Sequence, residues 1–501
     1  MLKSRKVRLI EPGGRSGRPF NPWLARWPLL GPITLASILH ERGYDVAVYN
    51  ENISGPLPEN SQAYQDVCSA DVVGISIMTP TAGRGYALAD RIKRDSPGAT
   101  VVFGGVHASF VPQEAILHGD VVVQGEGETV IEPIARGEIT SGIIRARPLE
   151  NLDAIPTLNH SLVRDFYRLR RWGGQANELP VMASRGCPYG CTYCSVTRMF
   201  GRKVRRQSPQ KVYQDLLCYA ERGYRRMFFY DDNLVSDRDW SRDLLGRIQP
   251  LSLRFYAQTR ADFHWRNGDR SDLDRDLLTT MRRAGADVLC VGYETIEEAA
   301  ATAWRKGYRG FSAKVPLRQC LMQDTEILHD SGFWIHGMFV LGPQHTQAHA
   351  DGIVDFACQS GMESIQISIL TPFPGTPLFE EMKEHLLFTQ FPDDWDFYDG
   401  THCVYDNSML GVEGLSAELL RAHDRFYRRS AWSLRSLRRM LRDQQPLWAK
   451  LTRLWSNVHM VRTLMRQWKQ ETLRFVELAK ARGLALPQRS GTGRLTRWQT
   501  A

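Results

Sequence analysis

Over the first 145 positions apolar residues come in blocks of four to eight, and stretches with helical spacing separate several of them. The blocks read KVRLIEP, YDVAVYN, ADVVGISIM, ATVVFGG and DVVVQGEGE, while LLGPITLASILHERG, closed by Gly43, and GYALADRIKRDSPG carry the helical period. Buried β-branched runs of this length, alternating with helices, predict a parallel sheet covered on both faces. Ligands of such doubly wound sheets bind at the carboxyl ends of the strands. The loops there are Gly13-Gly14, Thr79-Pro80-Thr81, Gly104-Gly105-Val106-His107 and Gly125-Glu126-Gly127-Glu128. None matches GxGxxG or GxxxxGK[ST], so a plain nucleotide site is poorly supported.

A second alternating series follows: ELPVMASRG, RRMFFYDDN, LRFYAQTRAD, DVLCVGYET, FWIHGMFVLG and SIQISILTPFPGTP. Six βα units predict a TIM-type barrel, incomplete at six strands, with its site at the strand C-termini. The expected fold class is therefore α/β: a Rossmann-like doubly wound sheet over residues 1–145, a linker over 146–178, a partial (β/α)6 barrel over 179–400 and a basic C-terminal helical region over 401–501. The last region reads mainly as LSAELLRAHDRFYRRSAWSLRSLRRMLRD and VHMVRTLMRQWKQETLRFVELAKARG. Neither an internal repeat nor a low-complexity segment interrupts the chain.

Composition narrows the setting. A length of 501 residues suits two or three domains, and 43% apolar with 24% charged residues excludes a disordered chain. MLKSRKVRLIEP lacks the apolar block of a signal peptide, and no window approaches 18 apolar residues. A cytoplasmic location is expected, where clustered thiols are more often metal ligands or catalysts than disulfides. Charge is uneven: Arg421 to Arg482 holds sixteen Lys/Arg against four Asp/Glu, more than the whole chain's +9. Trp432, Trp448, Trp455 and Trp468 interleave with these cations, as in interfacial helices, so a peripheral contact with the inner face of a membrane is expected over a nucleic acid. The competing reading is a solvated or intramolecular face.

Three of nine cysteines, Cys187, Cys191 and Cys194, stand in RGCPYGCTYC after the first barrel strand. Composition alone predicts about 0.003 occurrences of C-x₃-C-x₂-C, so the clustering is not accidental. Three thiolates do not close a tetrahedral zinc site. They can hold three irons of a 4Fe–4S cubane and leave the fourth open, with Gly186 and Gly190 letting the loop curl. Cys68, Cys218, Cys290, Cys320, Cys358 and Cys403 are scattered and read as small apolar residues.

With Tyr193 before its last cysteine, this motif resembles the signature of the radical S-adenosylmethionine (SAM) superfamily. Together with the preceding Rossmann-like sheet and its GGVHASF and GEGE strings, residues 5 to about 410 resemble the cobalamin-binding branch, which includes the anaerobic magnesium-protoporphyrin ester cyclase and carbon and phosphorus methylases. The resemblance implies an oxygen-sensitive enzyme that reductively cleaves SAM to a 5′-deoxyadenosyl radical and, with cobalamin, methylates or oxidatively rearranges an unactivated carbon of an apolar, lipid- or tetrapyrrole-like substrate. It implies cluster ligation by Cys187, Cys191 and Cys194, and SAM contacts by Tyr193, Asp232, Gln258, Arg260 and Glu294. It places cobalamin against Thr79, Gly104, Gly105, His107, Gly125, Glu126 and Gly127, and implies an electron donor such as flavodoxin or ferredoxin. D-x-H-x-x-G, which supplies a lower axial base in other cobalamin proteins, is absent. The alternatives are a radical SAM enzyme whose first domain binds no cobalamin, and a non-catalytic iron–sulfur or metal-binding scaffold. For single residues, His107 is read as a ligand contact or a local loop bond, and Glu294 as a SAM ligand or an internal ion-pair partner.

Overall fold

The computed structural model describes residues 5–14, 27–166, 178–311, 315–430 and 465–484. Its first sheet comprises β1 (Lys6–Glu11), β2 (Asp45–Asn50), β3 (Val72–Ser76), β4 (Thr100–Gly104), β5 (Val121–Gln124) and β6 (Gly142–Arg145). All are parallel, in the order β2-β1-β3-β4-β5-β6. Val7, Val72, Val101, Phe103 and Val121 are wholly buried, as expected of strands covered on both faces. The helices Leu30–Glu41 and Ala82–Asp95 pack on these strands. From β1 the chain moves to one side for β2 and returns to the other for β3, which opens a crevice between the β1 and β3 loops. β6 was not expected: GIIR is a four-residue edge strand, only partly buried, and too short to stand out as a periodic run.

The second sheet is the expected partial barrel. Its strands are β7 (Glu178–Val181), then, after the two-residue strands β8 (Ser184–Arg185) and β9 (Arg205–Arg206), β10 (Arg226–Phe229), β11 (Arg254–Arg260), β12 (Ala286–Glu294), β13 (Trp334–Leu341) and β14 (Ser364–Ile369). The order β14-β13-β12-β11-β10-β7 is parallel throughout, and β7 and β14 form the two edges. Caps start the outer helices promptly: Ser208 accepts from Lys211 N at 3.2 Å and Asp237 from Trp240 N at 3.1 Å. Buried Asp274 caps the next helix and also pairs with Arg238, Arg242 and Arg266, tying adjacent βα units through one carboxylate. Along β11, Phe255 and Ala257 are buried while Tyr256 and Gln258 point to the other face. On that face Trp27 stacks on Phe228 with ring centroids 4.3 Å apart, and the Tyr230 hydroxyl donates to the Trp27 carbonyl at 2.5 Å. The segment entering the first helix is thus docked against the barrel's aromatics.

Residues 146–166, read from sequence as linker, are packed: Leu152, Ile155, Val163 and Phe166 are buried, and Val163 pairs with Val48. Their spacing follows no period because they fill a seam between two sheets. The C-terminal helix Gly411–Ser430 lies on β14, where Tyr427 Oη donates to the Ile365 carbonyl at 2.7 Å. A helix over 465–481 folds back on the molecule. Trp468 packs edge-on to His423 at 4.8 Å and Phe475 stacks on Phe388 at 4.9 Å. Trp468 is therefore not an outward interfacial ring: it is buried where His423 and its neighbours offer an internal apolar face. Trp432, Trp448 and Trp455 lie outside the described residues. Among the described residues, no helix is long and apolar enough to cross a membrane.

Gly285 sits at φ +104° between a helix and β12, and a Cβ there would overlap the Leu253 carbonyl. Gly285→Ala should cost at least about 1–3 kcal/mol for the backbone alone and lower the melting temperature accordingly. Gly98→Ala, whose methyl meets open space, should be neutral or slightly stabilising by the same measurement.

Candidate functional site at the facing strand ends

The loop carrying Cys187, Cys191 and Cys194 leaves the barrel after β7 and is pinched at its base by β8 and β9, where Ser184 pairs with Arg206 and Arg185 with Arg205. Gly186 opens it at φ +97°, with a Cβ position 3.0 Å from the carbonyls of Gly201 and Lys203, so only glycine fits. Two backbone bonds moor the loop to other strand ends: Thr192 N donates to Trp304 O and Leu378 N to Thr192 O, both at 3.1 Å. The three thiols are partly buried and form no disulfide. Burial, then the Asp232 carboxylate and the neighbouring thiols, push Cys194 up to about 12, and burial, Asp232 and Cys191 raise Cys187 too. Among the described residues, no three His, Cys, Asp or Glu side chains converge as around one ion. A cubane asks for no such convergence, since each thiolate takes its own iron. Of the remaining cysteines, Cys320 and Cys403 are buried and the other four partly buried.

Most of the residues proposed from sequence for SAM lie around this loop. Asp231 accepts from Ala183 N at 3.0 Å and from the Ser184 hydroxyl, fastening the chain just before the cysteines. Burial holds Asp231 up at about 6, and burial with repulsion from Asp231 holds Asp232 at about 7. Gln258 projects from β11 and its Nε2 lies 3.5 Å from Tyr230 O. Tyr193 meets Trp304 edge-on at 6.2 Å. Burial and then the Glu294 carboxylate lift the Tyr193 phenol well above its ordinary value. Glu294 ends β12 at φ +54°, at a register shift, and accepts from Lys306 Nζ at 2.9 Å. A non-glycine residue in that conformation is strained, and strain of this kind gathers at functional sites.

Arg260 is differently placed from what a ligand clamp requires. Its Nε donates to Asp262 at 3.0 Å, and Nη1 and Nη2 donate to the carbonyls of Lys306 and Gly307 at 2.9 and 2.8 Å. The guanidinium also lies 3.8 Å over the Tyr189 ring. With its donors engaged, Arg260 pins the cysteine loop to the barrel.

The seven residues assigned to cobalamin all reach the carboxyl edge of the first sheet, but three of them, Thr79, His107 and Glu126, are buried there. His107 is wholly buried: Nδ1 lies 3.3 Å from Thr79 Oγ1 and Nε2 3.4 Å from Glu114, with the Trp395 ring edge-on at 5.0 Å. Between its two readings the local bond prevails, because no imidazole atom is left exposed. Glu126 is buried as well. It accepts from Arg185 Nη1 at 2.5 Å and from Arg205 Nη1 at 3.0 Å, while Glu128 takes Arg185 Nη2 at 2.7 Å. Burial pushes the Glu126 carboxyl up, yet Arg205 and Arg185 bring it below the ordinary carboxylate value. The glycines behave as expected of an edge. Gly105 at φ +92° has no room for a Cβ beside the Ile77 carbonyl, Gly125 sits at φ +90°, and at Gly104 a Cβ would point into open space. At Gly127 a Cβ would press on Leu35 at 3.1 Å.

Two family models match the chain: the B12 binding domain over residues 25–135 and the Radical SAM superfamily over residues 181–357. The chain is a radical SAM enzyme with a B12-binding domain. This radical SAM chain is 26% identical to bacteriochlorophyllide d C-12(1)-methyltransferase of Chlorobaculum tepidum over 86% of its own length and 89% of that protein's. It is 25% identical to hopanoid C-3 methylase of Methylococcus capsulatus, covering 68% and 65% of the two. Its fold matches the cobalamin-dependent SAM radical enzyme OxsB with a TM-score of 0.64 at 14% identity, over 97% of this chain and 82% of that one.

The cofactors of such an enzyme are a 4Fe–4S cluster, SAM and cobalamin. The donor set suits the cluster: three free soft thiols on one loop, with no imidazole or carboxylate inside it. The glycine edge suits a large flat group that must approach backbone closely, with open space above Gly104. Residues not singled out from sequence surround these positions: Arg185 and Arg205 at the neck, Tyr189 under Arg260, Lys306 on Glu294, and Glu114 with Trp395 around His107. Arg185 adjoins the cysteine motif, which could have flagged it. The rest are distant in sequence from what they touch.

His107→Ala should leave the visible spectrum of bound hydroxocobalamin unchanged, since the imidazole is sealed between Thr79 and Glu114. A spectral shift in the variant would mean that His107 reaches the cobalt.

Proposed function

We propose that this enzyme transfers a methyl group from SAM, by way of cobalamin, to an unactivated carbon of an apolar, lipid- or tetrapyrrole-like substrate. The observation that carries the reading is the meeting of two carboxyl edges. Glu126 and Glu128 after β5 touch Arg185 and Arg205 beside the cysteines, and Phe110 after β4 packs on Gly375 after β14. Both cofactor edges thus open on one seam. The inner wall supports an apolar occupant, since Trp27, Phe228 and Tyr256 form an aromatic cluster there. The similarity to methyltransferases named for bacteriochlorophyllide d and for hopanoids points the same way.

In this reading Cys187, Cys191 and Cys194 hold the cluster. When bound, the cluster would pass the donor's electron to SAM for its cleavage, and cobalamin would serve as the methyl carrier. Tyr193 would stack on the adenine, Asp232 would receive the SAM amino group, and Gln258 and Glu294 would meet the remaining polar atoms. Arg260, with Asp262, keeps the loop still while this happens. Gly104, Gly105, Gly125 and Gly127 would carry the corrin, with Thr79 and His107 supporting that edge from behind, while Glu126 holds the neck of the cysteine loop. On the outer face of the cysteine loop, Arg198, Arg202 and Lys203 are exposed, which favours an acidic electron donor such as flavodoxin or ferredoxin.

Anaerobically reconstituted protein should release 5′-deoxyadenosine on reduction with dithionite, and Cys191→Ala should release none and lose its iron–sulfur absorbance, because ligands of one cluster act as a unit. In host cells fed methyl-labelled methionine, expression of the enzyme should place label in an organic-extractable product. Label appearing only in polar products would end the apolar-substrate reading.

The cations over 421–482, seven of the sixteen between 431 and 464, further support a contact with anionic lipid, each contributing on the order of 1 kcal/mol near such a surface. Full-length protein should sediment with anionic vesicles at low salt, and a variant with Arg435, Arg438, Arg439 and Arg442 changed to Gln should not. Equal partitioning of the two would rule the contact out.

A further inference from the structure

The neck of the cysteine loop is held from the other domain. β8 and β9 contribute one arginine each, Arg185 and Arg205, and both donate to the same carboxylate, Glu126. Arg185 reaches Glu128 as well, and Arg205 Nη1 also donates to the Leu149 carbonyl at 2.7 Å. All four side chains are nearly inaccessible, with 3% to 6% of their surface exposed. The two glutamates stand on a turn that belongs to the first sheet's edge: Gly125 N donates to Ser109 Oγ at 3.0 Å and Gln124 Nε2 to the Ser109 carbonyl at 3.0 Å, so the β4 and β5 loops move together. Inside this balanced box Arg185 Nε and Glu128 Oε2 are buried without a partner. The box is charge-neutral but not saturated in hydrogen bonds.

From this juxtaposition we infer that Glu126, Glu128, Arg185 and Arg205 are positioning residues, which set the height of the cluster loop against the edge that carries the corrin and pass occupancy of that edge to the loop. The inference rests on the cobalamin reading for its second half only. A β-ribbon of two residues per strand cannot hold a loop of nearly twenty residues by its own ladder. Buried, desolvated charge pairs can, because a guanidinium that leaves its carboxylate there finds no water to replace it. A ligand that orders the β4 and β5 loops would therefore order the neck through the same four side chains, as coupling between sites requires.

The test is amide hydrogen exchange on the intact chain, comparing wild type with Glu126→Gln. Without any cofactor, the variant should exchange faster over residues 186–204 by about tenfold, with rates over β10–β14 unchanged; a rise spread evenly over the barrel, or none, would overturn the positioning role. With hydroxocobalamin added, wild type should gain protection in 186–204 as well as in the first domain, whereas the variant should bind the corrin and gain protection only in the first domain. Loop protection that persists in the variant, or corrin bound to wild type with no effect on the loop, would overturn the coupling. Failure of wild type to bind corrin at all would remove the coupling and the cobalamin reading together, while the cofactor-free comparison would still decide whether the neck is held. If Glu126→Gln does not accumulate as folded protein, Arg205→Lys takes its place: it keeps the charge but loses the fork, and should show the same loop-restricted effect at smaller amplitude.

Discussion

Two carboxylates and two guanidiniums, shut away from water at the junction of two parallel sheets, are the constraint on which the rest of this molecule depends. Glu126 faces both Arg185 and Arg205, and none of the three has any appreciable contact with solvent. Such an arrangement adds little net stability over an apolar seam, but removing one partner strands a buried charge at a cost of about 3–5 kcal/mol. What it supplies is direction. An apolar seam tolerates sliding, whereas forked guanidiniums on a shared carboxylate accept one relative placement. The first of the three clustered thiols stands two residues beyond Arg185, so the placement of the domains and that of the cysteine loop are one geometric fact.

The same economy recurs around the barrel mouth, where charge is spent on fixing backbone more than on display. Arg260 is consumed by Asp262 and two carbonyls and holds Tyr189 beneath it. Asp231 secures Ala183 and Ser184, and burial with repulsion from Asp231 holds its neighbour Asp232 up at about 7. Asp274 gathers three arginines behind the third strand. Asp232, Gln258 and the strained Glu294 all lie at or near strand ends on the cysteine side.

How much could be read before folding depended on how local each signal was. The Val- and Ile-rich blocks and the helical stretches between them carry their own period, so both sheets, their parallel sense and all eleven strands other than β6's edge segment and the two neck strands follow from sequence. The cysteine spacing is local as well: three thiols in eight positions define a cluster loop without reference to anything else. β6 was missed because four edge residues leave no pattern, and residues 146–166 looked like a linker because a seam has no period.

Roles that need two distant segments could not be read this way. GEGE looks like a cofactor edge until Arg185 and Arg205, 59 and 79 residues from Glu126, are seen to take up its carboxylate. GGVHASF looks like an imidazole offered to a ligand until Glu114 and Trp395 close over it. Sequence by itself determined the two α/β halves, the order in which they come and the clustering of the three thiols on one loop, because hydrophobic period and cysteine spacing are properties of neighbours along the chain. Only the tertiary structure decided which charged and aromatic side chains pair with one another at the strand ends and which lock the halves together, because a guanidinium's partner is set by the desolvated surroundings it folds into.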